Sequence, residues 1–334
     1  MATACYERIG ILGAGAWGTA LANVVGATGR TAVLAPRTPE TAEALAAART
    51  NAARLPGVAL HENVVIVASY EALSEVDAIV YAAPTQVARG KFEALARTRS
   101  AAPVVIASKG IEIATGLTLP EVLAAVWPAA TPAMLSGPTF AHDVAAGRPA
   151  AATLACAEAN VGEALRGAFA SSHFRLYPSS DVLGVALGGA AKNVLAIAAG
   201  VVIGAQLGES ARAALLARGF AEIQRLGMAI GADAATLYGL SGLGDLILTA
   251  TSPASRNMSL GIEIGSGGAP SAILASRSTV SEGALTAGAI LERADACGVD
   301  MPICRSVADL IAGVLPLDEI VANLMTRPAP VEAG

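Results

Sequence analysis

The chain has 334 residues, enough for two domains. Its net charge of −5 and pI near 5.3 argue against a nucleic-acid partner, and an aromatic content of 4% is too low for base-stacking platforms. Four scattered cysteines without a CxxC pair and only three histidines argue against a metal centre or a disulfide framework, and they favour a reduced, cytoplasmic compartment.

The chain opens with a strand, a glycine turn and a helix. A short strand over residues 8–12, apolar after Arg8, leads into Gly13-Ala-Gly15-Ala-Trp-Gly18, which is followed by a helix of small residues. In this arrangement Gly13 makes the tight turn, Gly15 lets the backbone approach a pyrophosphate, and Gly18 allows the helix to pack closely on the strand. The free amides at the helix N-terminus favour an anion. The sequence therefore predicts a dinucleotide site.

A second strand is predicted over residues 31–35, and Arg37 follows it. An acidic residue near this place holds the ribose 2′-hydroxyl of NAD, whereas an arginine can bind the 2′-phosphate of NADP. We therefore expect NADP to be favoured and NAD to be tolerated. The alternative is a solvated surface arginine.

Further strands are predicted with helical stretches between them, at residues 64–68, 77–82, 103–108 and 133–136, and at an edge strand over 174–177. This alternation implies a parallel, doubly wound sheet. Ligands of such sheets bind beyond the carboxyl ends of the strands, so the residues that follow the strands are candidates for the site. Lys109 and residues 136–140 hold such positions; the alternative for Lys109 is a solvated loop lysine.

From Asp181 onward the apolar pattern changes from strand-like to helical and remains helical. We place a domain boundary there. Residues 1–180 are predicted to form an α/β domain with a doubly wound Rossmann-type sheet, and residues 181–330 an all-α domain. Its helices are predicted at residues 210–230, 233–237, 281–297 and 305–315, with a glycine-rich loop at 265–271.

Residues 182–203 are almost continuously apolar, yet Lys192 and Asn193 lie in the middle of the segment. A transmembrane helix has this length, but a central Lys-Asn pair is expensive in lipid, so no membrane span is expected. A second alternative is an exposed lysine on a partly buried helix. Because Gly188 and Gly189 lie one turn before Lys192, we expect a wall of small residues that another molecule can approach, and we interpret Lys192 as catalytic.

A polar group interrupts the helical half again between residues 241 and 261. Asp245 opens an apolar run and could pair with Lys192, or it could be a helix N-cap. Ser255, Arg256 and Asn257 follow a proline turn and suit a clamp for phosphate or carboxylate. The alternative is a helix N-terminus with a salt-bridged arginine.

A nucleotide fingerprint, a buried lysine, a carboxylate and an arginine clamp together suit reduction of a carbonyl group on a small anionic substrate. Lys192 would give a proton to the developing alkoxide, and Lys109 would help to stabilise the charge. A nicotinamide cofactor would carry out the hydride step.

With these motifs the chain resembles the bacterial NAD(P)-dependent glycerol-3-phosphate dehydrogenase family over essentially its whole length. The matching stretches are GILGAGAWGTALA, NAARLPGV, SKGIE, SGPTFAHDVAAGRPAA, LGGAAKNVLAIAAG, ARAALLARGFAEIQRLG and SGLGDLILTATSPASRN. The resemblance implies reversible reduction of dihydroxyacetone phosphate to sn-glycerol 3-phosphate, which feeds phospholipid synthesis. Dimers are common in such families, so a homodimer is expected.

The resemblance also implies roles for individual residues. The family's proton acceptor falls on Lys192, and Asp245 and Lys109 complete the expected catalytic group. The implied substrate contacts are Lys109, Gly137, Thr139, Lys192, Asp245, Ser255, Arg256 and Asn257. Beside the glycines of the turn, the implied cofactor contacts are Ala16, Trp17, Arg37, Lys109, Ala141, Arg256, Val280 and Glu282.

The sequence departs from the family at three places. Ile203 stands where the family usually carries Asp, Ser210 stands where it often has Asn, and Met258 begins a stretch where two arginines and an aromatic residue are common. These departures motivate an alternative: a paralogue of the same fold that reduces another small phosphorylated or phosphonylated carbonyl compound. A nucleotide-binding sensor without turnover is a further alternative, but a sensor has no need of a proton donor.

Overall fold

A computed structural model describes residues 5–277 and 281–326 of the chain. Its strands are β1 (Arg8–Leu12), β2 (Thr31–Ala35), β3 (Thr50–Asn51), β4 (Leu55–Ala59), β5 (Val64–Ile66), β6 (Ala78–Tyr81), β7 (Pro103–Ile106), β8 (Thr131–Ser136), β9 (Ala150–Cys156) and β10 (Phe174–Ser179). The helices between these strands are α1 (Ala16–Ala27), α2 (Pro39–Ala48), α3 (Ala88–Thr98), α4 (Leu119–Val126), α5 (Ala141–Ala145) and α6 (Ala159–Phe169).

The second half of the described chain is helical. Its helices are α7 (Val182–Gly204), α8 (Glu209–Ala229), α9 (Ala234–Tyr238), α10 (Asp245–Thr251), α11 (Arg256–Gly265), α12 (Pro270–Ser276), α13 (Glu282–Ala296), α14 (Pro302–Ala312) and α15 (Leu317–Thr326). Short 3₁₀ turns at Tyr70–Glu75 and Thr85–Val87 and a π-helical turn at Leu240–Gly244 complete the elements. The predicted α/β half followed by an all-α half is confirmed.

The main sheet has eight strands in the order β10-β9-β8-β7-β6-β1-β2-β5. Alternate residues of a strand point to opposite faces, and both faces of this sheet are covered by helices. Ile9 and Ile11 of β1 belong to a core shared with α1 and α6, whereas Leu12 belongs to the opposite core with α3 and α4. Strand β1 is therefore a central strand that is covered on both faces, whereas the predicted strands β5 and β10 form the two edges.

One pairing differs from the predicted parallel sheet, because β9 runs antiparallel to β8. The segment between these strands contains only the five-residue helix α5, which packs against α1. A parallel connection would require the chain to cross over the sheet. Here the chain turns back beside β8 instead. β10 then pairs parallel to β9 and forms the edge.

Several other details were not predicted. Helices α2 and α4 and the small β3–β4 hairpin have no counterpart in the sequence-based expectations. The hairpin contains a strand of only two residues, which is too short to produce an alternating pattern. The predicted glycine-rich loop is shorter than residues 265–271, because α11 continues to Gly265 and α12 begins at Pro270.

Helix α7 forms the centre of the helical half. Its residues from Gly184 to Val202 are buried, and α8, α10, α11 and α13 pack around it. In the described ranges it is the one helix long and apolar enough to cross a bilayer, but 94% of its most apolar stretch is buried inside the protein. That burial is expected of the core helix of a folded domain.

Helices α7 and α11 approach closely because glycines meet at their crossing. A Cβ atom placed on Gly200 would lie 2.9 Å from the Cα atom of Gly261. The one-turn repeats Gly200/Gly204 and Gly261/Gly265 leave both helix surfaces flat at this point. The close crossing fixes the first turn of α11, which carries Arg256, relative to the segment of α7 that carries Lys192.

The two halves are also joined by a charged clamp. Arg293 of α13 donates from both terminal nitrogens to the carboxylate of Glu121, at 2.7 Å each, and to the carbonyl of Gly116 at 3.1 Å. Glu121 lies in the first turn of α4 and also accepts from the Thr118 amide and hydroxyl. The Arg293 guanidinium holds the pKa of Glu121 below its usual range, against the opposing effect of burial.

A buried carboxylate ties α14 to α8. Glu222 of α8 is 2% exposed and accepts hydrogen bonds from the backbone amides of Ile303 (2.8 Å) and Cys304 (3.1 Å) in the first turn of α14. Burial raises the pKa of Glu222 to about 7, although these amide donors act in the opposite direction.

Candidate active site

The glycine turn has the geometry that its sequence predicts. Gly13 has φ of 111°, a left-handed conformation that favours glycine, and its amide donates to the Ala35 carbonyl at 2.9 Å. A Cβ on Gly18 would overlap the Gly13 carbonyl oxygen, so α1 packs directly on the turn. A Cβ on Gly15 would meet no atom within 4 Å. The space above Gly15 and the free amides at the start of α1 suit a pyrophosphate.

Lys192 lies in the middle of α7 and is 7% exposed. Its ammonium group donates to Asp245 Oδ1 at 2.5 Å and to the hydroxyl of Thr249 at 2.6 Å. The predicted pairing of Lys192 with Asp245 is therefore present. The N-cap alternative is not, because Asp245 is the first residue of α10 and Gly244 is its N-cap. The lysine is buried and paired.

Lys109 reaches the same carboxylate from the rim of the sheet. Its ammonium group donates to Asp245 Oδ2 at 2.5 Å and to the carbonyl oxygen of Gly137 at 3.1 Å. Thr139 donates its hydroxyl to the same Gly137 carbonyl at 3.2 Å. Residues that follow β7 and β8 thus meet residues of α7 and α10, and the buried Asp245 carboxylate lies between two lysines.

Burial and the charge of Asp245 act in opposite directions on the pKa of Lys192. Burial lowers the pKa of Lys192 to about 8. The Asp245 carboxylate opposes this effect by favouring the ammonium form, whereas the charges of Lys109 and Arg256 add to it. An amine of this kind can hold or release a proton near neutral pH, which suits a general acid in one direction and a general base in the other.

Small residues bring these groups together. A Cβ on Gly189 would lie 2.7 Å from Ser136 Oγ and 3.4 Å from Lys109 Cγ, so only glycine lets the end of β8 and the Lys109 side chain approach α7 this closely. A Cβ on Gly188 would lie 3.0 Å from the Cα atom of Gly242, in the π-helical turn that leads into α10. These contacts place Asp245 opposite Lys192.

Ser255, Arg256 and Asn257 do not act as three equivalent donors. Ser255 is the N-cap of α11 and its hydroxyl accepts from the Met258 amide at 3.3 Å. Asn257 is buried, donates to Asn193 Oδ1 at 2.9 Å, and accepts from the backbone amide of Gly283 at 3.1 Å. The Arg256 side chain is exposed and makes no hydrogen bond or ion pair within the described residues, so it remains available for an anion.

The remaining predicted cofactor contacts surround the cleft. Ala16 and Ala141 begin α1 and α5. Trp17 packs edge-on against Phe174, with ring centroids 6.4 Å apart. Arg37 is exposed just beyond β2, as a contact to a 2′-phosphate requires. Val280 lies outside the described residues.

Glu282 connects α13 to the rim of the sheet. Its Oε1 atom accepts from the Thr85 backbone amide at 3.2 Å, and burial raises the pKa of Glu282. The Ser136 hydroxyl and Trp17 Nε1 are buried without a hydrogen-bond partner in the described structure. Buried polar atoms are usually satisfied, so unpartnered atoms beside the cleft, together with the open space above Gly15, fit a polar dinucleotide.

Thr249 was not predicted. It lies one turn after Asp245 on α10, accepts from Lys192, and donates to Asp245 Oδ1 at 3.2 Å. The spacing of four residues, which places both side chains on one helix face, was the available signal.

The three departures from the family pattern lie away from the lysines. Ile203 is half-buried at the end of α7, about 16 Å along the helix axis from Lys192. Ser210 is exposed in the first turn of α8, and Met258 is buried against the protein core. The cluster around Asp245 contains none of these three residues.

Fold and site together define a dinucleotide-dependent dehydrogenase with a Rossmann-type domain and a helical domain that supplies an amine. The family model for the NAD-dependent glycerol-3-phosphate dehydrogenase N-terminus matches residues 8–162, and the model for the C-terminus matches residues 181–322. The chain belongs to the NAD-dependent glycerol-3-phosphate dehydrogenase family, as the sequence motifs predicted.

Similarity to individual proteins extends along the whole chain. The NAD(P)+ glycerol-3-phosphate dehydrogenase of Parvibaculum lavamentivorans is 49% identical over 327 residues, covering 98% of each chain. The protein of the same name from Azorhizobium caulinodans is 49% identical over 329 residues, covering 98% of this chain and 99% of its own. The crystal structure of glycerol-3-phosphate dehydrogenase from Coxiella burnetii has a TM-score of 0.92 at 31% identity and covers 96% of this chain and 99% of that chain.

Proposed function

We propose that this chain catalyses the reversible NAD(P)H-dependent reduction of dihydroxyacetone phosphate to sn-glycerol 3-phosphate. The observation that carries the proposal is the buried carboxylate of Asp245, held between the ammonium groups of Lys192 and Lys109 at 2.5 Å each. The names of the two bacterial relatives, each 49% identical, support the substrate and the use of NAD(P).

The nicotinamide supplies the hydride when it is bound, and the protein supplies binding and the proton. In reduction, Lys192 donates a proton to the carbonyl oxygen as it becomes an alcohol. In oxidation, neutral Lys192 accepts it. Asp245 orients both lysines, and Lys109 adds positive charge beside the developing alkoxide. Thr249 holds the Lys192 ammonium group in place through the contact at 2.6 Å.

Arg256 is proposed to bind the substrate phosphate, because its side chain is exposed without a partner in the described residues and its charge acts on Lys192. Ser255 and Asn257 support it by capping α11 and by fixing that helix to α7 and α13. Arg37 is proposed to contact the 2′-phosphate of NADPH, with NADH tolerated.

Three further proposals accompany this function. The chain acts in the cytoplasm, where its product feeds phospholipid synthesis; its four free thiols suit a reducing compartment. It works as a homodimer. Residues 1–180 form the dinucleotide-binding domain, and residues 181–330 form the catalytic domain; β10 ends at Ser179 and α7 begins at Val182.

A panel of phosphorylated and phosphonylated carbonyl compounds, assayed with NADPH and NADH, tests the proposal. Dihydroxyacetone phosphate is expected to give the highest kcat/KM, within the usual enzyme range of about 10⁴–10⁸ M⁻¹s⁻¹. A value below about 10² M⁻¹s⁻¹ for this substrate, with faster turnover of another compound, would favour the same-fold paralogue instead.

A further inference from the structure

Lys109 is followed by a loop, residues 110–118, that folds back on itself before α4 begins. Ile111 pairs with Thr118 in an isolated antiparallel bridge. Since Ile111 is two residues from Lys109, this bridge ties Thr118, the N-cap of α4, to the backbone next to Lys109. The position of Lys109 therefore depends on how both ends of the loop are held.

The near end of the loop lies against the helical half. Ile111 is fully buried in an apolar core that also contains residues of α7 and α13. A Cβ on Gly110 would lie 3.1 Å from Oε2 of Glu282, the first residue of α13. The chain that leaves Lys109 thus passes directly against the first turn of α13.

The far end of the loop is held by Arg293, three turns further along α13. Its guanidinium forms the bidentate pair with Glu121 and also donates to the Gly116 carbonyl. The same Glu121 carboxylate accepts from the amide and hydroxyl of Thr118. The Arg293 side chain is 15% exposed, and bidentate arginine–carboxylate pairs are both strong and directional. One arginine therefore fixes the last residues of the loop to the helical half.

These contacts form one path from α13 to the active site. Arg293 reaches Thr118 through Glu121, and the bridge ties Thr118 to the backbone next to Lys109. Helix α13 also packs against α7, which carries Lys192. One helix therefore contacts both the loop that follows Lys109 and the helix that carries Lys192, so it restrains the separation of the two lysines.

We propose that Arg293 is a positioning residue for the reaction: through Glu121 and the 110–118 loop, it holds the Lys109 ammonium group against the Asp245 carboxylate. The inference rests on the proposed function, in which Lys109 stabilises charge and Asp245 orients both lysines. Displacement of such a group by about 1 Å can cost a hundredfold in rate. A clamp that limits this displacement therefore acts on kcat without contacting substrate or cofactor.

Three variants test the clamp. Arg293→Gln removes it and keeps a polar side chain, Arg293→Lys restores the charge without the planar fork, and Glu121→Gln removes the partner charge. Arg305→Gln is the matched control, because it breaks an arginine–carboxylate pair between α14 and Asp295 of α13, within the helical half. For each variant we measure kcat, the dissociation constant of NADPH and the midpoint of urea unfolding.

A second readout follows the lysines directly and needs no turnover. The sequence contains three lysines, Lys91, Lys109 and Lys192. Protein labelled with ¹³C at lysine Cε therefore gives a separate NMR signal for each amine, and the single variants Lys91→Arg and Lys109→Arg assign them. Lys91 is the internal control, because it lies over the Tyr70 ring on α3.

For Arg293→Gln we expect kcat for reduction to fall by about 10–100-fold, with the dissociation constant of NADPH within about twofold. The Lys109 signal should shift, and the Lys192 signal should titrate at higher pH than in the unmodified protein. The charge of Lys109 lowers the pKa of Lys192, so displacement of Lys109 removes that effect. The Lys91 signal should not change.

The other variants separate positioning from stability. Glu121→Gln should reproduce these effects, Arg293→Lys should recover part of each, and Arg305→Gln should show none of them. In a Lys109→Ala background, Arg293→Gln should lower kcat by less than about twofold more, because the effects of residues that act through one group are not additive.

The proposal is overturned if kcat and the Lys109 and Lys192 signals of Arg293→Gln match those of the unmodified protein. It is also overturned if Arg293→Gln lowers kcat by the same factor with and without Lys109, or if its urea midpoint falls while both signals stay unchanged, since the pair then only stabilises the fold. Should Arg293→Gln not fold, Glu121→Gln carries the same comparison.

Failure of the proposed function gives a different result. Unmodified protein that does not reduce dihydroxyacetone phosphate still gives the lysine signals, and their response to Arg293→Gln and Glu121→Gln then decides whether the clamp holds Lys109.

Discussion

Replacing Lys192 by alanine is the sharpest perturbation of this site. The change removes the group that would exchange the proton, but it leaves Asp245 paired with Lys109 at 2.5 Å, so the carboxylate is not left without a partner. We expect kcat for ketone reduction to fall by about 10²–10⁴, the usual contribution of a positioned acid or base. This corresponds to about 3–5 kcal/mol of barrier. The dissociation constant of NADPH should change little.

The pH dependence of the unmodified enzyme follows from the same residue. Burial lowers the pKa of Lys192 to about 8, and reduction requires the protonated form. The kcat/KM for reduction should be level below about pH 8 and should fall about tenfold for each pH unit above it. Oxidation requires the neutral amine, so its kcat/KM should rise with pH through the same region. The profile of kcat/KM is the relevant one because it reports the free enzyme.

The assay follows NADPH absorbance in both directions for the unmodified protein, Lys192→Ala and Lys91→Ala. Lys91 is a suitable control because its ammonium group lies over the Tyr70 ring, 4.2 Å from the centroid, on α3. Lys91→Ala should retain both activity and profile. The role of Lys192 would be refuted if kcat of Lys192→Ala stayed within about threefold of that of the unmodified enzyme. It would also be refuted if the residual activity of this variant showed the same change of kcat/KM near pH 8.

Three other predictions concern single contacts. Thr249→Val removes the hydroxyl that accepts from Lys192 and should lower kcat about tenfold. Because the ammonium form loses an acceptor, the pH at which kcat/KM for reduction begins to fall should also become lower. An unchanged pH dependence would argue against the contact. Arg37→Gln should raise the KM of NADPH about tenfold and that of NADH little; equal effects would show that Arg37 does not contact the 2′-phosphate. The pKa of Glu222 is raised to about 7 in the folded protein. Between the ordinary glutamate pKa and about 7, Glu222 is therefore protonated in the folded state and ionised in the unfolded state. The free energy of unfolding should therefore fall by about 3 kcal/mol as pH rises from about 4.5 through about 7, and urea titrations of Glu222→Gln should lack this slope.

The parts of the fold that could be predicted are those whose pattern is local. The glycine turn, the apolar strands and the long segment around Lys192 are each specified by a repeat or a motif within a few residues. The antiparallel direction of β9 and the β3–β4 hairpin depend on how short segments pack against distant elements, such as α5 against α1. No local pattern encodes those contacts.

The same distinction applies to the site. Lys192 could be singled out because a cation in an apolar segment is conspicuous, and its partner Asp245 followed as the acid at the start of a second apolar run. Thr249 has no such contrast with its neighbours, and Asn257 resembles a ligand-binding amide although its side chain bonds Asn193 and Gly283 within the protein. Chemical type suggested Asn257 as a substrate contact and gave no reason to suggest Thr249, because only packing decides where each polar side chain points.

The position of Asp245 explains why the interface between the two halves matters to the chemistry. Lys109 follows a strand of the sheet, whereas Lys192 and Asp245 belong to the helical half, so one of the two ion pairs crosses the interface. A shift of about 1 Å between the halves would lengthen that pair and leave Asp245 to Lys192 alone, and displacements of this size can cost a hundredfold in rate. The bidentate pair of Arg293 with Glu121 joins the halves in the same manner at a distance from the cleft. It restrains the same interface that the Lys109–Asp245 pair crosses, so we expect its loss to weaken the hold on Lys109 as well.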